Sequence, residues 1–257
     1  EEFTILKKHR KILWINISAT SLGDSLMDLS SRIMLSDKHI DLFTDVKNFS
    51  IYKDDLFFKN VYTDFKDKTY SRYDLVIIDS YSTRSIRIKS IVARDTPYVG
   101  MFGYFNGPEV NRTLFSFHQM NKLLNNAKHE NEIKALARNY ISISKQDAEV
   151  VKNIIPTKYI AFVLGGEWKF KTFSRWNNIV DKIFNNDPKL NIIVLGSKNA
   201  LIEANEIISN FPKNNIYNFV DKLNFNQTVE VIRKSQLVFC CDGGLMHAAN
   251  AVNAKKG

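Results

Sequence analysis

Cysteine is almost missing from this chain, and so is any long apolar run. The only cysteines are the neighbours Cys240 and Cys241. Adjacent cysteines rarely pair with each other, and two cannot complete a four-thiolate metal site, so the expected compartment is reducing and cytoplasmic. The strongest apolar runs, residues 75–78 and 159–164, have strand length. They fall far short of the roughly 20 apolar residues that span a bilayer. No secretory leader is visible, because the basic start at residues 7–11 leads directly into the short apolar segment 12–17. The first residue is Glu1 rather than Met, so the natural start is expected upstream. No run of five like charges occurs either, which argues against a basic nucleic-acid arm.

What is present describes an ordinary globular protein. Of 257 residues, 44% are hydrophobic and 25% charged, which excludes a disordered, collagen-like or fibrous chain. The length fits one large α/β domain or two domains of about 100–150 residues each. The formal charge is +9 and unevenly placed: residues 1–150 carry 22 basic and 19 acidic groups, residues 151–257 carry 14 and 8. Such an excess fits nucleic acid, an acidic membrane surface or a phosphorylated substrate. With no clustered charge and no recognised nucleic-acid motif, nucleic acid is the weakest of the three.

Apolar periodicity alternates between strand and helix along the chain. Strands are expected at 11–18, 39–44, 73–79 and 98–102, with 56–62 ambiguous. Helices are expected at 24–35, 82–94 and 116–138, the last broken near 125–128. Ser144 reads as the N-cap of a helix over 145–155 that Pro156 ends. The alternation then restarts, with strands at 159–164, 191–195, 216–219 and 237–241 and helices at 174–185, 201–211, 227–235 and 244–252. Two runs of βα units divided near 145–157 imply two doubly wound parallel sheets, with domains at 1–150 and 151–257. Ligands of such sheets sit beyond the carboxyl ends of the strands, so the loops after each strand are the informative ones.

Three of those loops carry chemistry. In the first, Gly23 permits a tight turn and Asp24 stands where the next helix begins. Asp24 reads either as an N-cap or as a carboxylate placed for general-base work. The second loop holds Gly165, Gly166, Lys169 and Lys171 ahead of a helix start. It reads either as a phosphate cradle or as a flexible basic surface loop; it is not a Walker loop, whose spacing is absent. The third is Asp242, Gly243, Gly244, Leu245, Met246 and His247, where backbone N–H groups at 243–245 would suit a diphosphate and His247 falls in the first helical turn. The helix at 82–94 carries Arg84, Arg87 and Arg94 on roughly one face, either a solvated basic surface or a reader of an acidic group. No Asp-x-Asp triplet occurs, so charge on a diphosphate leaving group would be met by lysine, arginine and helix dipoles rather than by a metal held on such a pair.

In order along the chain, these residues resemble bacterial heptosyltransferases of glycosyltransferase family 9. The resemblance rests on the strand from Lys11 with Leu22-Gly23-Asp24, on residues 73–79 with Thr83-Arg84-Ser85 and Ile91 to Arg94, on Gly165-Gly166 with Lys171 to Ser174, and on Asp242 to Ala249. It implies a GT-B fold, two Rossmann-like domains facing a cleft, with the acceptor on the first and the nucleotide sugar on the second. It also implies inverting, metal-independent transfer of a heptose-type sugar, with no cofactor. The donor would be a nucleoside diphosphate, usually ADP, and the acceptor an anionic lipopolysaccharide core, with peripheral contact to the inner membrane surface. Asp24 would be the base, Lys171 and Lys169 would meet the phosphates, and residues 242–247 would hold diphosphate and ribose. Arg84, with Arg87 and Arg112, would meet acidic sugars, while Asp79 would cap its loop.

Three departures mark the chain. The loop after residue 195 has no acid until Glu203, where the family often places one against the ribose. Gly243 replaces the family's Ser or Thr. The chain ends at Gly257, where family members continue, so the second domain is expected to be cut short or reduced. A non-catalytic nucleotide- or glycan-binding relative of the same fold is the alternative these departures support.

Overall fold

β1 (Lys11–Asn16) shows why the first sheet forms: Ile12, Leu13, Trp14 and Ile15 are all inaccessible to solvent. A strand buried on both faces needs apolar residues at every position, as parallel sheets covered by helices require. The computed structural model describes residues 2–19, 21–64, 66, 72–102, 111–166 and 168–254. Around β1 lie α1 (Leu22–Asp28), a 3₁₀ turn at Ser30–Leu35, β2 (His39–Thr44), α2 (Val46–Tyr52), β3 (Phe58–Tyr62), β4 (Leu75–Ser80), α3 (Thr83–Val92), β5 (Tyr98–Phe102), α4 (Arg112–Leu123) and α5 (Glu130–Leu136). The strands form one parallel sheet in the order β3-β2-β1-β4-β5.

The second sheet is built the same way from α6 (Lys145–Ile154), β6 (Ile160–Val163), a 3₁₀ turn at Lys169–Lys171, α7 (Trp176–Asn186), β7 (Ile192–Leu195), α8 (Leu201–Asn210), β8 (Ile216–Asn218), α9 (Phe225–Lys234), β9 (Val238–Cys240) and α10 (Gly244–Ala251). Its parallel order is β8-β7-β6-β9. Side chains alternate between its two faces: Ile160, Phe162, Ile192 and Val194 pack with α7 and α8 residues, while Ala161, Val163, Ile193 and Leu195 pack with α9 and α10 residues.

The chain divides into two units, Glu1–Ser142 and Ile143–Gly257. The division falls ahead of the boundary expected at 150/151. α6 accounts for the difference: it packs on α9, Val151 enters the second core, and Asn224 donates to Asp147 at 3.0 Å.

The expected elements are present, with instructive differences. The helix expected over 24–35 is α1 followed by a 3₁₀ turn. The Ser30 hydroxyl bonds back to the Met27 carbonyl (2.6 Å) and Ser31 pairs with Ser116 (2.8 Å), so these serines offer the chain an alternative to the α ladder. The ambiguous stretch 56–62 resolves as β3. α2 is not legible in the sequence; it forms because Ile51 and Tyr52 are buried, which overrides weak helix propensity. α3 ends at Val92, so Arg94 lies beyond the helix and off the face it was expected to share with Arg84 and Arg87. The long helical stretch breaks at Asn125, whose φ is +51°.

Candidate functional site

In an open parallel sheet the crevice opens where strand order reverses, beyond the carboxyl ends of the strands on either side. In the first unit that point lies between β1 and β4. In the second it lies between β6 and β9. All three chemistry-bearing loops read from the sequence arrive at one of these two points.

At the first crevice, Asp79 at the end of β4 ties the loop after β1 in place. Its buried carboxylate accepts the backbone N–H groups of Ile17 (2.7 Å), Ser18 (2.6 Å) and Ser80 (2.7 Å), and the Ser85 hydroxyl (2.6 Å). Burial pushes its pKa up, and these donors oppose the shift. Asp79 is thus a loop anchor, as expected. The anchored loop leads into α1, whose N-cap is Ser21 rather than Asp24. Asp24 is the third helical residue in a capping box: Ser21 Oγ accepts from Asp24 N (3.2 Å), while Asp24 Oδ2 accepts from Ser21 N (3.1 Å) and Ser21 Oγ (2.8 Å). The Asp24 side chain stays 20% exposed, so it is partly open to solvent.

Arg112, the first residue of α4, faces this carboxylate. Its Nη1 donates to Asp24 Oδ1 (3.2 Å), while Nε and Nη2 form a fork on Asp28 (2.5 and 2.7 Å). Asp28 is 3% exposed, and burial pushes its carboxyl up to about 6 against the pull of Arg112. Arg112 thus bonds carboxylates of its own unit, at the crevice where the resemblance implies an acceptor contact for it. The two other arginines of that expectation behave differently. Arg84 is exposed and bonded to Asp45 (2.6 Å), and Arg87 is exposed one turn further along α3.

At the second crevice, the loop after β6 turns on Gly165, at φ +73°. A Cβ on Gly166 would lie 2.8 Å from the Lys171 carbonyl oxygen, so the loop closes on itself only with glycine there. Asn199, in the loop after β7, donates to the Gly166 carbonyl (2.7 Å) and accepts from Ser197 (2.7 Å), bracing the turn from outside. Lys171 Nζ then meets Asp242 at 2.9 Å, joining the loops after β6 and β9. Gly243 caps α10, and a Cβ built on it would meet nothing within 4 Å, so the approach to this helix start is open. Leu245 and Gly244 open the helix, where the first N–H groups have no partner within the helix itself. His247 lies in the same first turn and donates its backbone N–H to Gly243 O (3.4 Å). Lys169 begins the 3₁₀ turn; its side chain lies outside the described part of the structure. Glu203, the first acid after β7, stands in the first turn of α8. Cys241 is buried, with its thiol pKa raised by burial, and neither cysteine forms a disulfide.

The family model of glycosyltransferase family 9 (heptosyltransferase) matches residues 105–256, more than half of the chain. The chain belongs to this family. Solved structures agree in fold with this family 9 glycosyltransferase. It is similar to E. coli ADP-heptose lipopolysaccharide heptosyltransferase II at 16% identity, covering 96% of this chain and 83% of that one with a TM-score of 0.74. A family 9 glycosyltransferase from Veillonella parvula matches at 12% identity, 98% and 82% coverage and a TM-score of 0.77. E. coli heptosyltransferase WaaC with ADP-2-deoxy-2-fluoro heptose matches at 14% identity, 96% and 87% coverage and a TM-score of 0.66. The curated proteins hold no significant sequence match. The two parallel-sheet units are thus those of a GT-B glycosyltransferase. Among the described residues of this family 9 enzyme, no helix is long and apolar enough to cross a membrane.

Sequence reasoning missed Asp28 and Asn199. Asp28 had a signal, since a second carboxylate four residues after Asp24 shares its helical face. Asn199 had none, because its partner is 33 residues away.

Proposed function

We propose that this family 9 glycosyltransferase moves a heptose-type sugar from a nucleoside-diphosphate donor, ADP-heptose, to a hydroxyl of an anionic lipopolysaccharide-core acceptor, with inversion and without a metal. The observation that carries the reading is the meeting of Lys171 with Asp242 at the switch point of the second sheet, beside the open start of α10. A cation and the first N–H groups of a helix, which have no partner within the helix itself, suit the charge that grows on a departing diphosphate. On this reading the donor's phosphates take Lys171 from Asp242. Gly165, Gly166, Gly243, Gly244 and Leu245 let the backbone approach the phosphates, Lys169 adds charge, and Asp242 and His247 border the site.

The first unit holds the acceptor. Asp24 takes the proton of the attacking hydroxyl, and the sugar passes through an oxocarbenium-like state as the leaving oxygen separates. Arg84 and Arg87, exposed on α3, meet acidic groups of the acceptor. The enzyme needs no resident cofactor on this reading. It works in the cytoplasm, at the membrane face that presents a lipid-linked glycan. The E. coli relatives, an ADP-heptose lipopolysaccharide heptosyltransferase and a heptosyltransferase with ADP-2-deoxy-2-fluoro heptose, support the choice of donor and acceptor.

The test is Asp24→Ala. Transfer from ADP-heptose should fall at least ~100-fold, the lower range for loss of a general base, while ADP binding stays near the parent value. Near-normal turnover would remove Asp24 from this role. A thermal-shift panel of ADP, UDP, GDP and CMP tests the donor: ADP should stabilise the protein most, and stabilisation by none would favour the non-catalytic alternative.

A further inference from the structure

Two carboxylates one helical turn apart on α1 repel each other unless something holds them. Here Arg112 holds both, and unequally. Asp28, buried, receives the two-bond fork from Nε and Nη2. Asp24, partly exposed, receives one longer bond from Nη1 at its Oδ1. The other oxygen of Asp24 is occupied by Ser21. The placement of Arg112 is itself fixed. The Asn111 side chain caps α4 by accepting from Leu114 N (3.2 Å), and Ser116 Oγ donates to the Asp28 carbonyl (2.7 Å), locking α4 on α1.

We propose that Arg112 and Asp28 are positioning residues for transfer: Asp28 anchors the guanidinium through Nε and Nη2, and Nη1 keeps the Asp24 carboxylate ionised and aimed. The proposal rests on the reading of Asp24 as the base. It assigns Arg112 to the base rather than to the acceptor. Its pH consequence follows from shared charge. The groups facing Asp28 are Arg112 from α4, Asp24 on its own helix, Asp79 from β4 and Tyr52 from α2. Arg112 is the cation among them, so both carboxylates draw on it. Removing the cation makes Asp24 harder to ionise; removing the charge of Asp28 leaves the whole cation to Asp24 and makes it easier to ionise.

The experiment compares Asp24→Asn, Arg112→Gln, Arg112→Lys and Asp28→Asn in the full chain, measuring kcat, both KM values, ADP affinity and the kcat profile from about pH 3 to 9. Asp24→Asn should be inactive. Arg112→Gln should lower kcat about tenfold or more and move the acid limb upward by roughly one pH unit, with donor KM unchanged. Arg112→Lys should restore the limb but only part of kcat, because an ammonium lacks the fork geometry. Asp28→Asn should move the limb downward. If Arg112→Gln fails to fold, the downward limb of Asp28→Asn beside the unmoved limb of Arg112→Lys still carries the comparison. Unmoved acid limbs beside an inactive Asp24→Asn would overturn this inference alone, as would an Arg112→Gln that raises only the acceptor KM. An active Asp24→Asn would instead overturn the base reading beneath it.

Discussion

At the scale of single residues, Gly166 decides the shape of the proposed donor loop. A methyl group there would press on the main-chain carbonyl of Lys171, not on the yielding tip of a side chain. Gly166→Ala should therefore shift the loop and with it Lys171. Overpacking of this kind costs ~1–3 kcal/mol. Calorimetric unfolding should show the loss in stability and titration with ADP the loss in affinity; unchanged ADP affinity would mean that the turn is not part of the donor site. Gly243→Ala is the contrast in stability alone, because that position has open space and extended backbone.

At the scale of elements, the first crevice depends on one strand end holding another. The Asp79 carboxylate is the acceptor for the N–H groups that close β1, and those lead into the α1 cap that carries Asp24. Asp79→Asn keeps the size but replaces an acceptor oxygen with an amide that donates. At least one buried N–H then lacks its partner, at a cost of about 1–3 kcal/mol. The expected outcome is a lower unfolding midpoint and reduced kcat, with ADP affinity unchanged because that site lies on the other sheet. Steady-state kinetics with ADP-heptose check it, and an unchanged kcat would mean that the anchor does not govern the base.

At the scale of the whole molecule, the charge of +9 acquires a use. The excess is greatest in residues 151–257, on the unit carrying Lys171 and the open start of α10. On the proposed reading that unit takes the anionic donor, whose capture the long-range field aids; salt screens that field within about 10 Å at 0.1 M. Raising ionic strength should therefore increase the donor KM while kcat holds, in initial-rate measurements across a salt series. A donor KM indifferent to salt would remove the charge excess from donor capture.

The amino-acid sequence by itself determined the alternation of strands and helices, the two parallel sheets and the three loops that reach their switch points. Those signals are local: apolar runs of strand length, and glycine or aspartate where a strand hands over to a helix. The order of the motifs also made the family legible, although no single motif was specific. Local signals failed at α2, where burial of Ile51 and Tyr52 outweighs propensity, and at Arg94, which the end of α3 leaves off its expected face. Only the tertiary structure decided how charge is shared. Arg32, on the 3₁₀ turn, is wholly buried, forked onto Asp55 and bonded to the Tyr140 carbonyl 108 residues away. Arg112 meets Asp28 and Asp24 across 84 and 88 residues. Spacing along a chain shows which side chains share one helical face. It does not show which distant helix end arrives opposite them, and here that arrival sets Arg112 against Asp28 and Asp24.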